Sequence, residues 1–256
     1  MGNRSITNLS APKKNSDAAT KAYVDDLRKQ VNALEDILMD QGLYSLKDIE
    51  GNTYKVVRLG NQVWMAENLK TTKFANGDDI PTTVPADLDI SSVDDPRYQW
   101  PYGGDENNVA TYGRLYTFYA AYDNRNICPA GWHVPTSEEW RILELFLGIP
   151  YDQIGSQGVR GTNEGSKLAG NAALWVDGNL KNDPKFDSTG FSALPGGYRS
   201  SLGSSAELGE AGYWWTSSFN YMEMSWCRYM KYNSSMIYLS ESGWRKCGFS
   251  VRCLRD

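Results

Sequence analysis

The sequence predicts an α+β protein in which one N-terminal helix precedes a larger body of short antiparallel strands. Between residues 24 and 38 apolar side chains recur three and four positions apart, which indicates a helix with one apolar stripe. From about residue 43 the chain changes to short apolar and aromatic runs separated by glycine-rich turns. A few helices beside many short strands favour the α+β class.

The composition limits the possible functions. The 256 residues are 41% hydrophobic and carry a net charge of −5, which fits a folded globular protein and is unfavourable for binding nucleic acid. The chain has 9 Trp and 16 Tyr beside 7 Phe, and rings with a polar tip are favoured at binding surfaces, although an irregular core would also use them. No apolar run is long enough to span a bilayer, so we expect no membrane insertion.

Residues 1–42 are predicted to be an oligomerisation segment. Ser16 or Asp17 can cap a helix that Gln41 and Gly42 end. A lone helix with two heptads is unstable, so its seam must pack against other copies or against the following domain, and we favour self-association. Because Val and Leu alternate, the heptads alone do not distinguish a trimer from a dimer. The seam residues are Val24, Leu27, Val31, Leu34 and Leu38.

Residues 43–256 are predicted to form one domain. A hairpin is expected at residues 53–59 and 62–65, around Gly60 and Asn61. A capping box that starts at Thr136 predicts the clearest helix of this domain. The other expected elements are a surface loop over residues 75–105, a short helix over 117–122, and strands over 235–239 and 249–254.

Side chains suited to catalysis or metal binding are few. His133 is the single histidine, and its place before the capped helix indicates a structural role. The four cysteines lack the CxxC spacing of zinc sites. We therefore expect no catalytic residue, no metal and no cofactor. The alternative is a cation bound by aspartates of the loop at residues 75–105, but acidic side chains in a loop are more often simply solvated. These aspartates are Asp87, Asp89, Asp94, Asp95 and Asp105.

Two N-terminal stretches resemble a motif of phage tail fibres and related virion proteins. They are residues 6–12 (ITNLSAP) and 17–25 (DAATKAYVD). In those proteins the motif precedes trimeric coiled coils. The resemblance implies a homotrimer that contacts other virion tail proteins and is assembled in the host cytoplasm.

The body resembles the major paralogous domain first noted in Fibrobacter, a branch of the C-type lectin-like fold. The similar segments run in the expected order from residue 51 to the C-terminus: residues 60–69 (GNQVWMAENL), 112–116 (YGRLY), 128–136 (CPAGWHVPT), 194–199 (LPGGYR) and 248–253 (GFSVRC). This resemblance implies a disulfide between Cys128 and Cys253. Two buried thiols, kept reduced during assembly, are the alternative.

Residues 213–247 resemble the variable region of retroelement-diversified proteins, which use the same fold to display exchangeable side chains. The fixed framework of those proteins is resembled by residues 213–218 (YWWTSS), Trp226, residues 233–235 and the C-terminal strand. The resemblance implies a ligand-binding surface between these segments, and a tolerant loop without a ligand is the alternative. The expected contacts are Phe219, Asn220, Tyr221, Met222, Glu223, Met224, Cys227, Arg228, Met236, Tyr238, Ser240, Glu241, Ser242, Trp244, Lys246 and Cys247.

These patterns together predict a non-enzymatic adhesin at the tip of a phage tail fibre, which binds a protein or glycan receptor on a bacterial surface. The alternative is a bacterial cell-surface or secreted binding or structural domain of the same fold. Formylglycine-generating enzymes share the wider fold and require a reactive cysteine pair. Here the candidates are Cys227 and Cys247, whose neighbours Arg228 and Lys246 could lower a thiol pKa. The short motifs that supply calcium ligands in sugar-binding lectins are missing from the sequence.

Overall fold

The computed structural model describes residues 21–41, 44–219, 224–242 and 244–256. They belong to two compact units that meet in the sequence between Tyr44 and Ser45. The first unit contains one long helix. The second contains every strand of the described part of the chain.

Helix α1 spans Lys21–Asp40, which confirms the predicted helix. Its expected start at Ser16 or Asp17 lies outside the described residues. The seam residues Val24, Leu27, Val31 and Leu34 are exposed in the single chain, and Leu38 is half-buried. The helix therefore presents an apolar stripe that the described residues of its unit leave exposed.

The body is a mixed α and β structure built mostly from sheet. Its strands are β1 Leu46–Lys47, β2 Thr53–Tyr54, β3 Val56–Leu59, β4 Gln62–Met65, β5 Gln99–Pro101, β6 Arg114–Tyr116, β7 Trp132–His133, β8 Gly158–Arg160, β9 Gly196–Arg199, β10 Ser205–Leu208, β11 Ala211–Phe219, β12 Ser225–Lys231, β13 Ile237–Ser242 and β14 Leu254–Arg255. Its helices are α2 Val109–Tyr112, α3 Phe118–Ala121, α4 Ser137–Leu147, α5 Glu164–Leu168 and α6 Asn179–Asn182.

Two sheets organise the body. The larger has six strands in the order β10-β9-β11-β12-β13-β8, and all of its neighbours are antiparallel except β9 and β11. The smaller has four strands in the order β3-β4-β14-β7. Because β14 pairs with both β4 and β7, the C-terminal strand closes this sheet between segments distant in sequence.

The core lies between these sheets and helix α4. Trp64 of β4, Trp140 of α4 and Phe191 form its aromatic centre, with ring centroids 4.9–5.9 Å apart. The larger sheet contributes Trp214 and Met230 to the same cluster. Burying several large side chains together supplies much of the stability expected of a domain of this size.

Most of the local predictions are confirmed. Strands β3 and β4 form the expected hairpin, with Leu59 opposite Gln62. Helix α4 begins with the predicted capping box, in which the Thr136 hydroxyl accepts from the Glu139 amide and the Glu139 carboxylate accepts from the Thr136 amide. The predicted strand at 235–239 is shifted, since β13 begins at Ile237, and of the predicted strand at 249–254 only Leu254 lies in a strand, β14. The prediction of residues 75–105 as a surface loop is wrong in part, because β5 lies in this range and Ile80, Ile90 and Trp100 are buried.

Candidate ligand-binding surface

Strands β11, β12 and β13 set the two faces of the larger sheet. Successive side chains of a strand point to opposite faces. On one side, here called the inner face, Trp214, Met230 and Ile237 enter the core. On the other side, the outer face, Tyr229 and Tyr238 are half-buried.

A row of tyrosines crosses the outer face. The register of the strands places Tyr213 opposite Tyr229, and Tyr229 opposite Tyr238. The Tyr213 and Tyr229 rings stack at 5.2 Å between centroids, and those of Tyr229 and Tyr238 at 4.5 Å. Directly opposed aromatic pairs stabilise neighbouring strands, so the row both braces the sheet and lines its surface.

Beside this row lies a groove of about 180 Å³, here called the aromatic groove. Glu207 lies at its edge, where the carboxylate accepts a hydrogen bond of 2.5 Å from the Tyr213 hydroxyl and lies 3.5 Å from the Lys231 ammonium. Burial and the bond to Glu207 raise the pKa of Tyr213, which keeps this donor protonated. The groove is lined by Tyr198, Glu207, Tyr213, Cys227, Tyr229, Lys231, Ser240, Trp244 and Phe249.

The inner face carries a buried ion cluster. The Glu144 carboxylate of α4 accepts two hydrogen bonds of 2.8 Å from Arg160 of β8 and one of 2.6 Å from Arg228 of β12. All three side chains are fully buried. Burial lowers the pKa of Arg228, while Glu144 opposes that effect. The cluster fixes helix α4 against two strands of the sheet.

A second polar network lies behind β11. The Asn68 side-chain oxygen accepts from the Trp214 indole at 3.0 Å and from Arg252 Nε at 2.9 Å. The Asn68 amide nitrogen donates to the Tyr112 carbonyl at 2.8 Å. Arg252 is completely buried, and it also donates to the Ser192 carbonyl at 2.6 Å. Because each buried polar group has a partner, the network holds segments far apart in sequence in one arrangement.

Residues 57–255 match the family model of the Fibrobacter succinogenes major domain. The chain belongs to this family. None of the curated proteins compared with the chain and none of the solved structures matches it.

The segments that resemble the major domain supply the buried frame. Asn68 lies in the segment 60–69 and Arg252 in the segment 248–253, and both belong to the network behind β11. Cys128 and Cys253 form a disulfide, in the pairing that the resemblance implied. This bridge joins the segment before α4 to the residue before β14, across 125 positions of sequence.

His133 is another part of this frame. Its two ring nitrogens lie 2.9 Å from a Glu139 oxygen and 2.7 Å from an Asp256 oxygen. These two carboxylates, Glu139 first, raise the pKa of His133 to about 9, so the ring is charged at neutral pH. The charged ring connects the N-terminus of α4 with the C-terminal residue, which agrees with the predicted structural role.

The expected surface contacts do not all lie at the surface. Arg228 points to the inner face and is fully buried, so the prediction that it contacts a ligand is wrong. Arg228 is buried because it pairs with the carboxylate of Glu144. This partner lies far away in the sequence, so the residues around Arg228 do not predict its burial. Cys227 and Cys247 are buried as well, which makes their prediction as exposed contacts wrong. Cys227 lies on the central strand β12, between Trp215 and Ser240.

Other predicted contacts do lie on the outer face or at its ends. Trp244 is 57% exposed at the groove and Phe219 is 45% exposed at the end of β11. Tyr238 and Ser240 are half-buried on β13. The other half-buried contacts are Met224, Met236 and Lys246. Glu241 is half-buried too, but it lies opposite Trp226 and two positions after Leu239, which puts it on the inner side of the sheet. Residues Asn220, Tyr221, Met222 and Glu223 lie outside the described residues, as does the side chain of Ser242.

Phe219 belongs to a second cluster of rings, here called the aromatic patch, which consists of Phe118, Tyr122, Phe219 and Arg245. The Phe219 ring meets Tyr122 at 5.0 Å, and Tyr122 stacks on Phe118 at 5.5 Å. The Arg245 guanidinium carbon lies 4.9 Å from the Phe219 centroid and 5.2 Å from that of Phe118. A cation over aromatic faces holds these rings in place beside the outer face.

The two unpaired thiols are not in a reactive state. Burial raises the pKa of Cys227 to about 12 and raises that of Cys247. Arg228 lowers the pKa of Cys227 by less than burial raises it, because the Arg228 side chain points to the other face of the sheet. A thiol is a nucleophile mainly as its thiolate, so both groups are held in their less reactive form at neutral pH.

Two further observations concern metals and membranes. Across the described ranges no three His, Cys, Asp or Glu side chains converge in a way that could hold a metal ion. Within the same ranges, none of the helices combines the length and the apolar character that a bilayer span requires.

The sequence patterns missed several residues of the groove. Tyr213 was expected in the fixed frame, whereas its ring lines the groove with Tyr198 and Tyr229. Glu207 and Lys231 were not singled out at all. The available signal was one tyrosine in each of three neighbouring strands, but using it requires the strand register, which brings residues 213, 229 and 238 together.

Proposed function

We propose that this chain is the receptor-binding tip of a phage tail fibre and that its body, a C-type lectin-like domain, binds the surface of a host bacterium through the outer face. The observation that carries the proposal is the division of one sheet. Its inner face is closed by charged and aromatic networks. Its outer face is covered at Trp215 and Cys227, and around Tyr229 and Tyr238 it offers rings and small polar groups to the groove. Such a division suits display on a rigid support.

The chemistry of the outer face favours binding. Trp and Tyr provide large contact areas with few rotatable bonds and a hydrogen-bonding tip, and they dominate the energetics of many interfaces. Here Tyr229 and Tyr238 are held by stacking, so little side-chain entropy is lost when a ligand packs against them. Trp244 and Phe219 supply exposed rings at the groove and at the patch.

Helix α1 supports association of several copies. Its apolar stripe would be buried between three parallel helices. Other virion tail proteins would contact the N-terminal side of this helix bundle. Three weak sites on one stalk gain about 10²–10⁴ in apparent affinity if all can engage at once.

Val31→Asp with Leu34→Asp should convert a trimer into a monomer in light scattering, whereas Lys29→Asp on the polar side should leave the trimer intact. A monomeric wild-type protein would exclude this part of the proposal.

Adsorption to bacteria tests the proposed activity. The labelled full-length protein is mixed with a panel of bacterial strains, and the bound fraction is measured by flow cytometry. We expect saturable binding to a subset of strains and its loss in the double variant Tyr238→Ala, Trp244→Ala. Tyr151→Ala removes a ring that is 83% exposed elsewhere on the body and should bind as the wild type does. Equal binding by all three proteins, or to none of the strains, would refute the proposal.

A bacterial surface or secreted domain is the second candidate, and membership of the Fibrobacter succinogenes major domain family favours it. It would use the same outer face without the fibre. The neighbouring genes separate the two candidates. Virion structural genes and a reverse transcriptase beside this gene would support the tail fibre, and bacterial secretion genes would support the second candidate.

A further inference from the structure

The aromatic groove has a chemistry specific enough to name its ligand class. We infer that it holds one neutral, polyhydroxylated six-membered ring, the chemistry of a single sugar residue on a bacterial surface glycan. The inference rests on the proposed function for the source of that ligand, and on the geometry of the groove for its class.

The size of the groove favours a single ring. Its volume is about 180 Å³. Pockets that enclose drug-sized ligands are larger, at about 300–1,000 Å³. A peptide segment or a nucleotide would therefore lie mostly outside the groove, whereas one sugar ring fits within it.

The charges of the groove favour a neutral ligand. Glu207 and Lys231 face each other at 3.5 Å and compensate each other's charge. A cationic or anionic ligand would have to separate this pair to gain its own partner. A hydroxyl group both donates and accepts, so neighbouring hydroxyls can donate to the Glu207 carboxylate and accept from the Lys231 ammonium while the pair stays together.

The walls of the groove suit the remaining surface of such a ring. A sugar ring has an apolar face of C–H groups, and the negative face of an aromatic ring attracts them. Trp244 is the most exposed ring of the groove, so its face is the one that can pack against the sugar. Tyr229 stacks on Tyr213 and on Tyr238, so it contributes the edge of its ring to the wall. Ser240 adds a small hydroxyl among the lining residues.

The backbone holds Glu207 in an unusual conformation. Its φ angle of 62° lies in the left-handed region, which is unfavourable for a residue with a long side chain. Such strain persists where the surroundings fix it. Here it places a carboxylate at the groove, in contact with Tyr213 and Lys231.

Saturation-transfer NMR on the full-length protein tests the inference. The probes are the methyl glycosides of glucose, galactose, mannose and rhamnose, with choline and glucuronate as charged compounds of comparable size. We expect saturable millimolar binding of at least one glycoside and weaker or no binding of the charged probes. Trp244→Ala and Glu207→Gln should each weaken the glycoside roughly tenfold. Tyr151→Ala serves as the matched control and should not change it.

The same NMR experiment in EDTA tests whether sugar binding requires calcium. Binding should persist in EDTA, because Glu207 is the one carboxylate among the described residues that line the groove and a calcium site needs several oxygen ligands. Preference for a charged probe, loss of binding in EDTA, or binding of no glycoside overturns the inference. If cells adsorb through Tyr238 and Trp244 and no glycoside binds, the inference fails while the proposed function stands. If a glycoside binds and no strain adsorbs the protein, the proposed function fails instead.

Discussion

The two faces of the six-stranded sheet use similar residue types, but the side chains of one face are buried and several of those on the other are reached by solvent. On the inner face, charged and aromatic side chains contact one another: Arg228 and Arg160 share Glu144, and Trp214 donates to Asn68. On the outer face, Tyr229 and Tyr238 stack on each other and still line a surface that solvent reaches. The same strands therefore provide a fixed frame on one side and a contact surface on the other.

The difference shows where a change in sequence is costly. A buried charge that loses its partner keeps its desolvation penalty, whereas an exposed ring that is removed is replaced by water. Substitutions at the outer face can therefore change what the protein binds without changing how it folds.

The largest effect is expected from Glu144→Gln. This change leaves the buried Arg160 and Arg228 without a negative partner, and it should lower the free energy of unfolding by about 3–5 kcal/mol in urea denaturation. Glu138→Gln is the matched control on the same helix, since the Glu138 side chain is 70% exposed, and it should cost less than about 1 kcal/mol. Similar losses for both variants would contradict the account of the inner face.

A smaller, pH-dependent effect is expected from His133. Its folded-state pKa of about 9 lies above the unfolded value of about 6.5. The charged ring therefore stabilises the fold fully below pH 6.5, and this contribution is lost as the pH rises through 9. The full shift corresponds to about 3 kcal/mol, and water reaching a third of the ring reduces this to about 1–2 kcal/mol.

The measurement is the free energy of unfolding at pH 6 and at pH 9, for the wild type and for His133→Gln. The wild type should lose about 1–2 kcal/mol more than the variant over this range. Parallel curves for the two proteins would show that the contacts of His133 with Glu139 and Asp256 do not support the frame.

The smallest effect on stability is expected from Trp244→Ala. Because more than half of this side chain is exposed, its removal should change the free energy of unfolding by less than about 0.5 kcal/mol. Binding should fall in the same variant, as proposed above. A loss of several kcal/mol in thermal or urea unfolding would mean that Trp244 belongs to the frame rather than to the contact surface.

The sequence was most informative where a short pattern determines a local structure. The turn at Gly60 and Asn61 predicted the β3–β4 hairpin, and the capping box at Thr136 predicted the start of α4, since both depend on neighbours in the chain. The face of Arg228 could not be predicted, because it depends on Glu144, which is 84 positions away. The tyrosine row was missed for the same reason, as it exists only in the correct strand register.

A substitution scan over β12 and β13, with the folded fraction and the bacterial adsorption measured for every variant, separates the roles of the two faces of the sheet. We predict an alternation with a period of two over residues 228–230 and 237–240, outside the buried Cys227. Changes at Tyr229, Tyr238 and Ser240 should lower adsorption and leave most of the protein folded. Changes at inner-face positions, namely Arg228, Met230, Ile237 and Leu239, should lower both quantities together. Equal effects at the outer-face and inner-face positions would contradict the division of the sheet into a frame and a binding surface.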